Sequence, residues 1–293
     1  MLNEQDLKGI IVPVVAPFLP SEELDLESYQ NYLSELLVHD IQGLVIHGTT
    51  GESPTVHWRE VEELVATTKA ELLKQQKRVP LIIGTGTNNT ASTVNQTDMA
   101  GQLGADAVLV VTPYYSRPSQ WGIVEHYRRI AQVGVPVIAY EVPSRTGVEV
   151  TAETMRRILD LNGVIGLKDS TGGTELISEL QQDTKPILCG SDINFYNMLS
   201  QGAAGGILAS ANIYTSALMR IYSLTFQADP IRAKEEFDAL LPSIQLLFQE
   251  SNPSPLKWLL ARQGVISSST VRLPMGPISE QFEMEWEQAL HTS

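Results

Sequence analysis

Short apolar runs rich in Val, Ile and Leu alternate with amphipathic stretches along the chain as far as Ser210, and turn formers bound each run. The runs are Ile10–Ala16, Gly43–His47, Leu81–Gly84, Ala107–Thr112, Val135–Tyr140, Val164–Lys168, Pro186–Gly190 and Gly205–Ser210. Their apolar residues do not strictly alternate with polar ones, which is the pattern of strands covered on both faces. Helical spacing between the runs predicts helices near Ser28–Val38, Trp58–Leu73, Thr90–Leu103, Gly122–Ala131, Thr151–Leu161, Thr174–Asp183 and Asn194–Gln201. Thr90 with Ser92, Thr151 with Thr154, and Asp192 ahead of Asn194 supply capping signals for three of those starts. No hairpin signal interrupts the alternation, so a parallel sheet with right-handed crossovers is expected. Eight such units in about 210 residues is the count of an α/β fold of the (β/α)8 TIM barrel kind. An open doubly wound sheet is the competing architecture. Its phosphate fingerprint is missing, because Gly84–Asn89 reads G-T-G-T-N-N without a third glycine.

Beyond Ser210 the pattern turns wholly helical: Ile213–Gln227, Ile231–Phe248, Pro255–Gln263 and Ser279–Leu290, broken at Asp229-Pro230 and Asn252-Pro253. This is more than one closing helix. The expected organisation is a catalytic barrel over 1–228 and a helical C-terminal extension over 229–293 packed on it.

Composition narrows the function classes. The formal charge of −14 over 293 residues argues against nucleic acid or an anionic membrane as the main partner. A single cysteine, Cys189, rules out an intramolecular disulfide, and its strand-end position reads as a small buried hydrophobe. The first residues lack a basic segment followed by an apolar one, and no apolar run approaches the length of a membrane span. A soluble, cytoplasmic protein is expected.

Candidate chemistry gathers at the strand ends, where barrels of this kind build their sites. Lys168 closes the apolar run of V-I-G-L-K-D-S-T-G at 164–172. Only about one free lysine in 2,500 is neutral at pH 7, and burial favours the neutral amine, which can attack a carbonyl and form a Schiff base. A strand-end lysine whose ammonium reaches solvent is the plainer alternative. Tyr140 ends the preceding strand, Thr49 and Thr50 follow the second, Tyr114, Tyr115 and Arg117 follow the fourth, and Arg145 lies in P-S-R-T-G after the fifth. Taken singly, these are a βα turn, a packed strand tyrosine, an exposed loop and a surface arginine. Together they suit capture of a 2-oxo acid: a lysine nucleophile, a tyrosine to move protons, a Thr-Thr turn for one carboxylate and an arginine fork for another. A zinc-dependent aldolase has only His47 as a hint, since none of the five histidines shows a paired ligand spacing. A barrel that binds a 2-oxo acid as a sensor without turnover is a further alternative.

Six segments together resemble one family. G-T-T-G-E-S at 48–53, V-T-P-Y-Y-S-R-P-S-Q at 111–120, Y-E-V-P-S-R-T-G at 140–147, G-L-K-D-S-T-G at 166–172, N-P-S-P-L-K-W at 252–258 and R-L-P-M-G-P-I at 272–278 are similar to dihydrodipicolinate synthases. These belong to the wider N-acetylneuraminate lyase-like group of lysine-dependent aldolases. The resemblance implies Lys168 as the Schiff-base lysine and Tyr140 as the proton donor and acceptor. Thr49 and Tyr115 would complete a relay, with Tyr115 reaching into a neighbouring subunit's site. Thr50 and the Ile207 backbone would hold pyruvate, and Arg145 the carboxylate of the second substrate. The implied reaction joins pyruvate to L-aspartate 4-semialdehyde, giving 4-hydroxy-tetrahydrodipicolinate for lysine and diaminopimelate biosynthesis. No cofactor and no metal are implied beyond the pyruvate imine, and the implied assembly is a homotetramer, a dimer of dimers. Glu141 in place of the usual Asn, Asp169-Ser170 in place of Glu-Ala, and Leu208 where Ser is frequent depart from the pattern. They leave a related pyruvate-dependent aldolase, acting on 4-hydroxy-2-oxoglutarate or a sugar acid, as the alternative.

Overall fold

A computed structural model describes residues 1–180, 185–227 and 229–292. The strands are β1 (Gly9–Pro13), β2 (Gly43–Ile46), β3 (Leu81–Gly84), β4 (Ala107–Val111), β5 (Val137–Glu141), β6 (Val164–Asp169), β7 (Ile187–Cys189) and β8 (Gly205–Ile207). They hydrogen-bond in sequence order and close as a barrel. The recorded ladders, β3 through β8 and β8 back to β1, are all parallel. The (β/α)8 architecture read from the periodicity is therefore the architecture of the molecule. The open doubly wound sheet is excluded by the β8–β1 pairing of Gly9, Ile10 and Ile11 with Gly205, Gly206 and Ile207. That seam needs glycine, because a Cβ on Gly205 would stand 2.1 Å from the carbonyl oxygen of Gly9.

The helices follow the amphipathic stretches: α1 (Leu26–Leu36), α2 (Trp58–Lys74), α3 (Thr90–Gln102), α4 (Gln120–Ala131), α6 (Ala152–Leu159), α7 (Glu175–Leu180) and α8 (Phe195–Ser200). One additional turn, α5 (Pro143–Thr146), sits directly after β5, in a segment too short to show a helical period. Side-chain caps fix several starts: Asp25 accepts from Ser28 N–H, Ser119 from Gly122 N–H and Thr151 from Thr154 N–H. The start of α3 is capped by Asn89, which accepts from Ser92 N–H, rather than by Thr90. The expected cap Asp192 lies in a 3-10 turn before α8, which has no side-chain cap. The expected helix over 174–183 is observed to Leu180, its last residues lying outside the described ones, as does the boundary expected at Ala228. Beyond β8 come α9 (Thr215–Phe226), α10 (Pro230–Leu247), α11 (Ser254–Arg262) and α12 (Glu280–Thr292). Among the described residues no helix is long and apolar enough to cross a membrane.

The chain divides into two compact units. The first comprises Met1–Ile11, Gln42–Val45 and Pro80–Leu208. Its core is a cluster of buried side chains that includes Leu7, Ile11, Val45, Ile82, Leu109, Ile138, Tyr140, Leu188 and Ile207. The second comprises Val12–Ile41, Ile46–Val79 and Ala209–Ser293. It is held partly by buried polar pairs: Tyr29 with Thr68, and Tyr32 donating to Asn212.

Candidate active site

In the first unit, Lys168 and Tyr140 are register partners on the neighbouring strands β6 and β5. In a parallel ladder such partners point to the same face, and both do so next to Leu188 and Val111, their partners on β7 and β4. The two side chains touch: Lys168 Nζ lies 4.3 Å from the centre of the Tyr140 ring. Lys168 is only 7 % exposed and Tyr140 6 %. No carboxylate oxygen among the described residues stands within ion-pair distance of the amine. Lys168 is thus buried at its strand end rather than extended into solvent.

The backbone beneath the lysine is fixed from both sides, since β6 pairs along its length with β5 and β7. Gly190, just past β7, makes room for the side chain. A Cβ there would lie 2.7 Å from Lys168 Cε and 2.1 Å from Ser170 Oγ. Both are movable side-chain atoms, so the fold would survive a larger residue while the amine would be displaced. Gly190→Ala is expected to lower turnover about tenfold to a hundredfold, the range for a reacting group moved by an ångström. Its melting transition should stay close to that of the parent, and unchanged turnover with the same fold would contradict this role.

The residues next in each strand, Glu141 and Asp169, are also register partners, and alternation turns them to the opposite face. Glu141 is fully buried, accepting from Thr112 Oγ1 at 2.6 Å and from Val150 N–H at 3.0 Å. Asp169 accepts from the N–H and hydroxyl of Thr171 through Oδ1, while its Oδ2 and the Ser170 hydroxyl are buried without partners. Burial pushes both carboxyls above their ordinary values, the hydrogen bonds opposing it. The departures at 141 and 169 thus sit behind the Lys168–Tyr140 face. Because Glu141 holds its proton more tightly folded than unfolded, its contribution to stability is present below pH 4.5 and is lost as pH rises through the raised value. Glu141→Gln keeps an acceptor for Val150 and removes that loss. Urea titrations of the variant should show a flatter decline between about pH 4.5 and neutrality. A steeper decline would refute the assignment. Cys189, the β7 partner of Asp169, is fully buried and its thiol is pushed up by burial, as befits a packing residue.

Ile207 ends β8 beside Ile11 and is 1 % exposed, so its backbone is what it can offer a ligand. Arg145 is exposed on α5, and its guanidinium has no hydrogen-bond or ion-pair partner among the described residues. Tyr115 is 88 % exposed at φ 69°, in a three-residue turn closed by Ser116 N–H on Tyr114 O. A bulky residue at positive φ is an outlier that costs on the order of 1–3 kcal/mol.

Thr49 and Thr50 belong to the second unit, in a tight turn where Gly51 N–H bonds Gly48 O and Glu52 N–H bonds Thr49 O. Thr50 is 3 % exposed, and its Oγ1 accepts from Asn252 Nδ2 at 3.0 Å. Glu52, at φ 52°, is buried against Lys257, with Nζ to Oε1 at 2.6 Å. Its other oxygen accepts from Arg272 N–H at 2.9 Å. Phe18 is overlain by Lys257 Nζ at 3.9 Å and by the Arg272 guanidinium at 4.1 Å. Arg272 also pairs with Glu60. Asn252, Lys257 and Arg272 lie in segments that carry the family resemblance, but the sequence pattern assigns them no task. The available signal was a lysine inside the apolar stretch P-L-K-W-L-L at 255–260.

Known proteins resemble this chain over nearly its full length. Residues 6–293 match the Dihydrodipicolinate synthetase family. A 4-hydroxy-tetrahydrodipicolinate synthase of Coxiella burnetii (strain Dugway 5J108-111) is 36% identical over 283 residues, covering 96% of each chain. Among solved structures, a chloride-inhibited dihydrodipicolinate synthase from Acinetobacter baumannii, complexed with pyruvate, superposes with a TM-score of 0.91 at 34% identity. That match covers 97% of this chain and 98% of the other. A monomeric dihydrodipicolinate synthase variant superposes at 0.92 with 33% identity, covering 98% and 97%. With its closed barrel, its buried strand-end lysine and this full-length likeness, the chain belongs to the dihydrodipicolinate synthetase family of lyases.

Proposed function

We propose that the protein condenses pyruvate, bound as a Schiff base on Lys168, with L-aspartate 4-semialdehyde to give 4-hydroxy-tetrahydrodipicolinate. The observation that carries this reading is the buried contact between Lys168 Nζ and the Tyr140 ring. The neutral amine adds to C2 of pyruvate, and the carbinolamine expels water with a proton delivered through the Tyr140 hydroxyl. The iminium withdraws electrons from C3, which loses a proton to give the enamine. That carbon attacks the aldehyde and the new alkoxide takes up a proton. The product's own amino group then displaces Lys168 at C2, closing the ring and freeing the enzyme. The iminium is the electron sink throughout, so no metal is required.

Thr49 and Tyr115 serve the proton relay, Thr50 and the Ile207 backbone hold the pyruvate carboxylate and keto region, and Arg145 receives the second carboxylate. An unpartnered, exposed guanidinium supports the last role. The strained, outward Tyr115 supports its reach into the site of a neighbouring subunit within a homotetramer. Glu141 and Asp169 lie on the far face from Lys168, so they do not select the aldehyde by contact.

The test is direct. Borohydride added with pyruvate should fix a three-carbon unit on the Lys168 peptide, read by mass spectrometry. Product should also form from aspartate semialdehyde in the presence of a strong chelator. An unmodified Lys168 would refute the Schiff base, and labelling without product from this aldehyde would refute the substrate.

A further inference from the structure

The mechanism uses the Thr50 hydroxyl but does not say what sets its polarity. A threonine hydroxyl carries one hydrogen and two acceptor lone pairs, so it can meet a substrate as donor or as acceptor. Only a donor suits a carboxylate. Asn252 Nδ2 donates to Thr50 Oγ1 at 3.0 Å within the second unit, which occupies a lone pair and leaves the O–H hydrogen uncommitted. Among the described residues no acceptor takes that hydrogen. The amide orientation is itself fixed by cost. As placed, Asn252 Oδ1 is buried without a partner and one Nδ2 hydrogen is taken by Thr50. Turned over, the amide would leave both of its N–H donors without an acceptor where one is now taken by Thr50, and orphaned donors are the rarer and costlier case. Accepting an N–H also polarises the hydroxyl and strengthens what it donates.

The turn has a second tether. Two residues on, Glu52 is held by Lys257 Nζ and by Arg272 N–H, and Lys257 is itself fully buried. Both tethers come from the residues between β8 and the C-terminus, and both end on the turn at 50–52.

We propose that Asn252 is a positioning residue: by donating to Thr50 Oγ1 it commits the Thr50 hydroxyl to donate to the carboxylate of the 2-oxo acid substrate, on a turn locked by Lys257 and Glu52. This rests on the reading of Thr50 as a pyruvate ligand, and the experiment separates the two.

Asn252→Asp keeps the shape and reverses the polarity, so the Thr50 hydrogen turns back to the new carboxylate. The pyruvate KM of this variant should rise about 10- to 100-fold, the span for a hydrogen bond to a charged group, with kcat within a few-fold of the parent. Thr50→Val should raise the pyruvate KM by itself, and adding Asn252→Asp to it should add little. A raised KM in Thr50→Val with an unaltered KM in Asn252→Asp, or additive effects in the double variant, overturns the role of Asn252 and leaves the Thr50 reading standing. An unaltered KM in Thr50→Val overturns that reading and the inference with it. If Asn252→Asp does not fold, Asn252→Ala serves in the same cycle. It should weaken pyruvate binding in the parent and not in Thr50→Val, and equal losses in both backgrounds overturn the inference.

Discussion

Lys168→Arg is expected to lower kcat by at least about a thousandfold and to leave nothing for borohydride to trap with pyruvate. The exchange keeps a long cationic side chain at the end of β6 but removes the proposed nucleophile, because a guanidinium stays protonated at any working pH. A smaller residue would confound chemistry with packing, since the lysine stem is buried beside Tyr140, Leu188 and Gly190. The arginine variant should retain its circular dichroism spectrum and show no modification of the peptide spanning 164–172. Turnover within a hundredfold of the parent would mean that the carbonyl is activated by another group. The reading of this face of the barrel would then fall.

Lys257→Met is expected to cost about 3–5 kcal/mol of stability, the range for removing one partner of a buried ion pair. Lys257 is 0 % exposed and Glu52 2 %, so the carboxylate left behind has no water to turn to. Desolvation pushes the Lys257 ammonium down to about 8, with Glu52 opposing it, which marks how dry the position is. Glu52→Gln in the same chain should recover most of the loss, because the amide still accepts from Arg272 N–H and no bare charge remains. Urea denaturation of the two singles and the double variant closes the cycle. Equal losses in Lys257→Met with and without Glu52→Gln would show that the lysine stem, packed over Phe18, matters more than the charge.

The barrel was legible because its signal is repeated: each strand announces itself by an apolar run and each helix by a period, so small errors at the ends do not change the count. The strand ends were harder. The fifth run was expected from Val135, whereas β5 begins at Val137 and reaches Glu141, carrying a charged residue into a fully buried position that periodicity does not reward. The neighbourhood of Lys168 and Tyr140 was legible because a strand register makes two sequence positions one place. Gly190, Glu141 and Asp169 were not, since their roles depend on which face of a strand they occupy and on what stands within an ångström or two. The cap of α3 slipped by one residue for a similar reason, three polar candidates in succession offering the same chemistry at different angles. Asn252 and Lys257 lie some two hundred positions from the turn they hold, a distance at which local pattern says nothing.

That same separation sets an order of events during synthesis. Glu52 leaves the ribosome 205 residues before the lysine that neutralises it, an interval of roughly 10 to 40 s at ordinary rates of elongation. Until Lys257 arrives, the carboxylate has no counter-charge and the turn carrying Thr50 must stay wet. A growing chain, or one cut short before α11, therefore lacks the ion pair that ties this turn down. The proposed capacity to take up a 2-oxo acid would thus come only with the last stretch of polypeptide.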